Sequence, residues 1–224
     1  MARTNGKVIP DCCRMPNWLE PKLGFLRSKA EDKEQFFARI EEIFPLNDQR
    51  YILIDKAYET AKRAFRTKTR DGGERYFEHL RAVALIVLVY MRVRDADIIA
   101  AALLHDVVED IPSWTHKRLT SEFNPHVADV VWWVTKPPLT RGSTKDDVDR
   151  KYHRRLRKAP RDAVIVKMAD RLHNLMTIWN QDPKRIARKI SETRDFILPL
   201  AEDHQLLVHE IEDVLRYLEK RDIG

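Results

Sequence analysis

The stretch DADIIAAALLHDVVEDI, Asp95 to Ile111, constrains the fold more than any other part of the chain. Its first turns, Ile98 to Leu104, contain only alanine and aliphatic residues. A helix that is apolar on every face has to be surrounded by other elements, so the segment is read as a buried central helix, with Asp95 as its cap. Polarity separates at its far end. At about 100° per residue with His105 at zero, Glu109 falls near 40°, Asp106 near 100° and Asp110 near 140°, while Leu103, Leu104, Val107, Val108 and Ile111 fill roughly 160° to 300°. One side packs and the other gathers an imidazole and three carboxylates. A solvated acidic face is the plain alternative. The apolar approach to the motif, and a second His and a further Asp in apolar settings elsewhere, favour a metal or catalytic site.

Few glycines, six in 224 residues, and helical spacing through most of the length point to an all-α chain of one domain, here divided as an N-terminal extension over 1–30 and a domain over 31–224. In the extension Trp18, Leu19, Phe25 and Leu26 are expected to pack on the domain surface. The net charge of +6 suits anionic partners, whether phosphorylated metabolites, nucleic acid or anionic membranes, without choosing among them. The two cysteines, Cys12 and Cys13, are adjacent and cannot form a cross-linking framework, which suits a reducing compartment. No signal-type apolar run and no span of 18 apolar residues is present, so a cytoplasmic protein without membrane association is expected.

Further helices are predicted over 31–44, from Asn47 or Asp48 to 65, over 78–91 and from Ser113 or Thr115 to 123. Five follow, over 125–135, 145–158, 161–179, 183–200 and 202–220. The loop TKTRDGGERYFEH carries Gly72 and Gly73, which permit backbone conformations closed to other residues. KPPLTRGST, rich in turn residues, is a candidate lid. Trp132 and Trp133 are read as packing residues rather than a base-stacking platform. The basic run RKYHRRLRK, Arg150 to Lys158, reads as a solvated face, from which Arg154 or Arg155 reaches substrate phosphates if the helix borders a cleft.

VIVKMADRLHNLMTI divides in the same way as the first motif. With Asp170 at zero, Asn174 lies near 40°, Lys167 near 60° and Thr177 near 340°, opposite Val164, Ile165, Met168, Leu172, Leu175 and Met176. A mid-helix Asp has poor propensity and needs a partner when buried: Lys167 or Arg171, or a metal. Together His79, His105, Asp106 and Asp170 form a mixed nitrogen and oxygen set on three predicted helices. Such a set suits Mn, Fe or Zn with open positions rather than a closed thiolate site.

In order, His79, His105-Asp106 and Asp170 resemble the pattern of HD-domain metal-dependent phosphohydrolases, whose helical bundle is the expected fold. More narrowly, GGERYFEHLRAVA, AAALLHDVVED, VADVVWWVTK and VIVKMADRLHNLMTI resemble the hydrolase domain of the RelA/SpoT family over about 51–203. That resemblance implies Mn²⁺-dependent hydrolysis of the stringent-response alarmones ppGpp and pppGpp at the 3′ position, releasing pyrophosphate and GDP or GTP. It implies metal ligation by His79, His105, Asp106 and Asp170, and water handling by Glu109 and Asp110, with the division of roles open. It also implies nucleotide contacts by Arg70 (guanine stacking), Lys136, Asn174 and Thr177. The family commonly has Lys at Asp71, Pro at Arg75 and Leu80, and Arg at Met176. Since the chain ends soon after FILPLAED, the resemblance is to a stand-alone small alarmone hydrolase of the kind represented by the metazoan SpoT homologue. Asp71 and Met176 motivate a second reading, an HD phosphohydrolase for an adenosine alarmone or NADPH. A third is a non-catalytic nucleotide- or nucleic-acid-binding module, against which the intact Glu109 and Asp110 count.

Overall fold

The structure, a computed structural model, describes residues 15–27, 33–178 and 181–220; Cys12 and Cys13 lie outside the described residues. Helices make up the described chain, and its strand-like element is one isolated pairing of Thr69 with Arg75. In order these are α1 (Glu20–Leu23), α2 (Lys33–Glu41), α3 (Gln49–Ala64), α4 (Tyr76–Leu85), α5 (Ala96–Leu104), α6 (Val107–Asp110) and α7 (His116–Glu122). Then come α8 (Pro125–Val134), α9 (Lys145–Leu156), α10 (Arg161–Thr177), α11 (Pro183–Glu192), α12 (Leu198–His204) and α13 (Val208–Glu219).

Side-chain caps start several of these where the sequence places them. Asp48 accepts from the Arg50 N–H, Asp95 from Asp97 and Ile98, Thr115 from Arg118 and Asn124 from Val127. Each satisfies N–H groups that a helix start otherwise leaves without a partner.

The apolar helix α5 is central. Ala100, Ala101 and Ala102 have no exposed surface, and their small side chains let α3, α4, α8 and α10 all pack against it. α10 in turn packs on α4, α8 and α13. Leu19 and Leu23, from the segment expected to lie on the surface, are fully buried in this same core. Trp18 is partly exposed and donates its indole N–H to Asp213 Oδ2 on α13 at 2.9 Å.

Three boundaries differ from those read in the sequence. The stretch from Asp95 to Ile111 is two helices with a break at His105-Asp106, because the His105 ring bonds the Ala102 carbonyl three residues back and competes with the helix's own ladder. The helix with His79 begins at Tyr76 and widens into a π turn over Ile86–Tyr90. The helix from Pro183 passes through another π turn, Thr193–Ile197, and continues to His204. Left-handed backbone at Gln205 and Leu207 separates it from α13.

Among the described residues no helix is long and apolar enough to cross a membrane.

Candidate metal centre and cleft

Because α10 packs on both α4 and α5, three chain-distant side chains meet at their shared edge: His79 from α4, His105 at the end of α5 and Asp170 from α10. One donor atom from each lies within 4.8 Å of the others, and all three residues are buried. Asp170 Oδ1 is 3.3 Å from His79 Nε2 and 3.6 Å from His105 Nε2. Asp106 presents Oδ2 to the same two nitrogens, at 3.7 Å and 3.2 Å, so the break after α5 serves to turn this carboxylate inward. All four residues expected as ligands are therefore brought together.

The tautomers of both imidazoles follow from their other nitrogens. Ala102 O can only accept, so His105 carries a proton on Nδ1, 2.8 Å away, and Nε2 is the ring nitrogen that faces the centre. Arg70 can only donate, and its Nη1 lies 3.3 Å from His173 Nδ1. His173 Nδ1 is thus an acceptor, and His79 Nδ1, 2.9 Å from it, must be the donor. That leaves the Nε2 lone pair of His79 aimed at Asp106 and Asp170.

Burial and the Arg70 charge lower the His79 pKa to about 4, which keeps its ring neutral. Burial also works against a proton on His105, but the Asp106 and Asp170 carboxylates outweigh it and raise this pKa well above the ordinary value. The centre demands positive charge. Burial alone would raise the Asp170 pKa, yet the Lys167 ammonium, 2.8 Å from its Oδ2, and the two imidazoles hold it well below the carboxylate range. Asp106 is lowered against its burial chiefly by His105.

A divalent cation fits. Buried His105 Nε2 has no hydrogen-bond partner, the orphan that a metal bond would satisfy. Donors on adjacent positions of a small dication lie about 3 Å apart for bonds of about 2.1 Å, and the donor separations here start at 3.2 Å. Lys167, expected as a partner for Asp170 in place of a metal, takes only Oδ2 and leaves Oδ1 turned to the imidazoles.

A cavity of about 220 Å³ opens on this centre, lined by His79, Asp106 and Asp170 and by Glu109, Asn174 and Tyr152. Lys136, Lys167, Arg171 and Lys189 line it as well, matched in number by the carboxylates of Asp106, Glu109, Asp170 and Glu192. Glu109 sits at the rim, open to solvent on one side. Desolvation on the other side and the Asp106 charge raise its pKa, and the Lys136 N–H, 2.8 Å from Oε2, fixes its orientation.

The other expected site residues divide. Asn174 lines the cavity, donates to Asp170 Oδ1 and accepts from Arg70 Nη2 at 2.7 Å. Arg70 is held between Asn174 and His173 at the end of a tight turn whose Gly73 has φ 85°, a conformation that favours glycine. Lys136 lines the cavity but pairs its ammonium with Asp149. Asp110 is turned to the Lys68 ammonium at 2.6 Å and does not line the cavity. Thr177 is buried, donates to the His173 carbonyl at 2.9 Å and does not line it either. Met176 has no exposed surface and belongs to the core, so its departure from the family pattern does not touch a ligand. Asp71 pairs with Arg185 at 2.6 Å, and neither lines the cavity.

Sequence reasoning missed four contributors. Tyr76 donates its hydroxyl to Asp106 Oδ2 at 2.8 Å; lying three residues before His79, it was within reach of helical spacing. His173 stood within the second motif but off its polar stripe. Lys189 and Glu192, both on α11, had no sequence signal. There Glu192 accepts from Lys189 at 2.8 Å and from Arg171 at 3.2 Å and faces His153 at 3.2 Å, on the wall of the cavity.

Comparison with known proteins follows this geometry. A family model described as HD domain matches residues 57–204. The bifunctional (p)ppGpp synthase/hydrolase SpoT of Escherichia coli K12 is 34% identical over 168 residues, covering 74% of this chain and 23% of that protein. The guanosine-3′,5′-bis(diphosphate) 3′-pyrophosphohydrolase of Haemophilus influenzae is 35% identical over 161 residues, covering 70% and 23%. A probable GTP pyrophosphokinase of Mycobacterium leprae is 36% identical, covering 66% and 19%. The chain thus spans less than a quarter of the length of these relatives. A solved structure described as a metazoan orthologue of SpoT that hydrolyses ppGpp and plays a role in starvation responses superposes with a TM-score of 0.66 at 23% identity, covering 74% of this chain and 94% of that one.

Proposed function

The chain belongs to the HD-domain family, and from that premise we propose that it is a Mn²⁺-dependent alarmone hydrolase, cleaving ppGpp or pppGpp at the 3′ position to pyrophosphate and GDP or GTP. The observation that carries this reading is the pair of imidazole Nε2 atoms, each ring oriented by a hydrogen bond at its other nitrogen, facing two carboxylates inside a cavity that four Lys and Arg side chains also line. A polyanionic substrate explains the cations. The sequence relatives named for this reaction support it further.

His79, His105, Asp106 and Asp170 hold the metal in this reading. When bound, it supplies Lewis-acid charge that acidifies water and neutralises the phosphorus under attack. Glu109, oriented by the Lys136 N–H and raised in pKa toward the range useful for a base, accepts the proton of the attacking water. The water oxygen bonds the 3′ phosphorus, the bond to the 3′ oxygen breaks, and the leaving nucleoside oxygen takes up the proton that Glu109 accepted, which returns Glu109 to its carboxylate. Asp110 acts at the rim through Lys68 rather than as the base. Lys189, Arg171 and Lys167 bind the phosphates, and Asn174 and Arg70 hold the nucleoside end. Thr177 acts through the α10 backbone.

Incubating the purified protein with Mn²⁺ and ppGpp tests this directly. GDP and pyrophosphate should appear, and EDTA should abolish them; no turnover with metal loaded overturns the assignment. The Asp71–Arg185 pair, acidic where the family commonly has Lys, keeps a second substrate in view. A panel of ppGpp, an adenosine alarmone and NADPH decides between them.

A further inference from the structure

Next to the metal-centre cavity lies a larger one of about 400 Å³, with walls from Val108, Trp132, Thr135, Pro137 and Pro138. Glu109 and Lys136 line both cavities, so the two compartments meet at the residue read above as the base. The second compartment also holds Arg155.

The two cations of this compartment are in different states. Lys136 is neutralised by Asp149. Arg155 has no carboxylate within ion-pair distance among the described residues. Its Nη2 donates to the Thr135 carbonyl, its guanidinium lies 4.4 Å from the Trp132 ring and 5.5 Å from the Tyr152 ring, and its Nε is buried without a hydrogen-bond partner. Desolvation lowers its pKa, offset only in part by the Tyr152 phenol and by no carboxylate. A cation fixed against aromatic rings, partly out of water, with a free donor and no counter-ion, is an unbalanced arrangement. An anion entering the compartment would balance it, and the apolar walls would strengthen that attraction.

We propose that this compartment is a phosphate subsite, in which Arg155 binds the outer, non-reacting phosphate of a diphosphate whose inner phosphorus lies at the metal centre beside Glu109. The inference rests on the diphosphate reading of the substrate and adds the specificity element: selection of a diphosphate over a monophosphate at the scissile position. A guanidinium offers two donors to such a phosphate, and losing charge-assisted hydrogen bonds of this kind corresponds to about 10- to 100-fold in affinity.

Calorimetric titration of the wild-type and Arg155→Met proteins with inorganic pyrophosphate and with inorganic phosphate, both with saturating Mn²⁺, tests it. Arg155→Met should bind pyrophosphate at least about 10-fold more weakly and phosphate within about two-fold of wild type. Arg155→Lys should recover part of the pyrophosphate affinity. Because Arg155 also braces Thr135 and Trp132, a merely structural loss would weaken both ligands together. That outcome overturns the proposal, as does unchanged pyrophosphate binding in Arg155→Met or no pyrophosphate binding by wild type. If wild type turns over ppGpp and Arg155→Met binds pyrophosphate normally, the subsite fails and the proposed activity stands. If ppGpp is inert while pyrophosphate binding depends on Arg155, the proposed activity fails and the subsite stands.

Discussion

Replacing His173 by Leu removes one acceptor and, with it, the tautomer of His79, the proposed metal ligand one hydrogen bond away. His173 Nδ1 receives His79 Nδ1–H at 2.9 Å and Arg70 Nη1–H at 3.3 Å. Without it, buried His79 either keeps an unsatisfied N–H, at about 1–3 kcal/mol, or moves the proton to Nε2 and takes its lone pair from the centre. Partners that orient a metal ligand are worth about 10- to 100-fold in metal affinity, a range of similar size in free energy. The assay is thermal or denaturant unfolding with and without Mn²⁺. At a metal concentration about 100 times the wild-type Kd, binding stabilises the wild type by about 2.7 kcal/mol. A 10-fold weaker site retains about 1.4 kcal/mol of that, and a 100-fold weaker one about 0.4 kcal/mol. Leu172→Ala, one residue away on α10 and fully buried, is the control: it should lower metal-free stability by about 2–5 kcal/mol and leave the metal increment intact. If His173→Leu keeps the full increment, the relay from Arg70 through His173 to His79 does not set the ligand.

Four other results are expected. Glu109→Gln should lower kcat by about 10²- to 10⁴-fold while calorimetric metal binding persists, and a rate within a few-fold of wild type would remove its role as base. The raised pKa of Glu109 places the acidic limb of the wild-type profile above the ordinary 4.5, since the base is lost as pH falls through that value, and a pH profile of kcat/KM checks it. Lys189 is lowered to about 8 by desolvation and the nearby Arg171 charge, so its positive charge fades as pH rises through 8; KM should climb there, and Lys189→Arg should flatten the climb. Asp170→Ala should lose metal, measured by calorimetry, and should also destabilise the fold, since it strands the buried Lys167 ammonium; adding Lys167→Met should restore the melting temperature but not the metal.

The all-helical class was legible because α5 is apolar on every face over Ile98 to Leu104, which leaves it no place except the centre of a bundle. Caps at Asp48, Asp95 and Thr115 were legible too, because capping is a contact between residues two or three apart. The two polar stripes named His105, Asp106, Glu109, Asp170 and Asn174 for the same reason: helical spacing fixes which residues share a face. What spacing could not give was convergence across helices. Only the packing of α10 on α4 and α5 puts Asp170 Oδ1 within 3.3 Å of His79 Nε2.

The break at His105-Asp106 was equally out of reach, because it depends on a ring bonding a carbonyl and turns an extrapolated helix angle into a different direction. Asp110 and Thr177 shared the right stripes but were claimed by Lys68 and by the α10 backbone, competitors invisible at the level of period. Lys189 and Glu192 reach the cleft through α11, about eighty residues beyond the first motif, and among the described residues no acid from another helix arrives to pair with Arg155. The sequence by itself determined the helices, the buried centre and the residue types of the site, since those depend on local spacing and on which faces avoid water. Tertiary structure decided which lone pairs point inward, which charges remain unbalanced and where the cleft continues, since those depend on contacts between segments far apart in the chain.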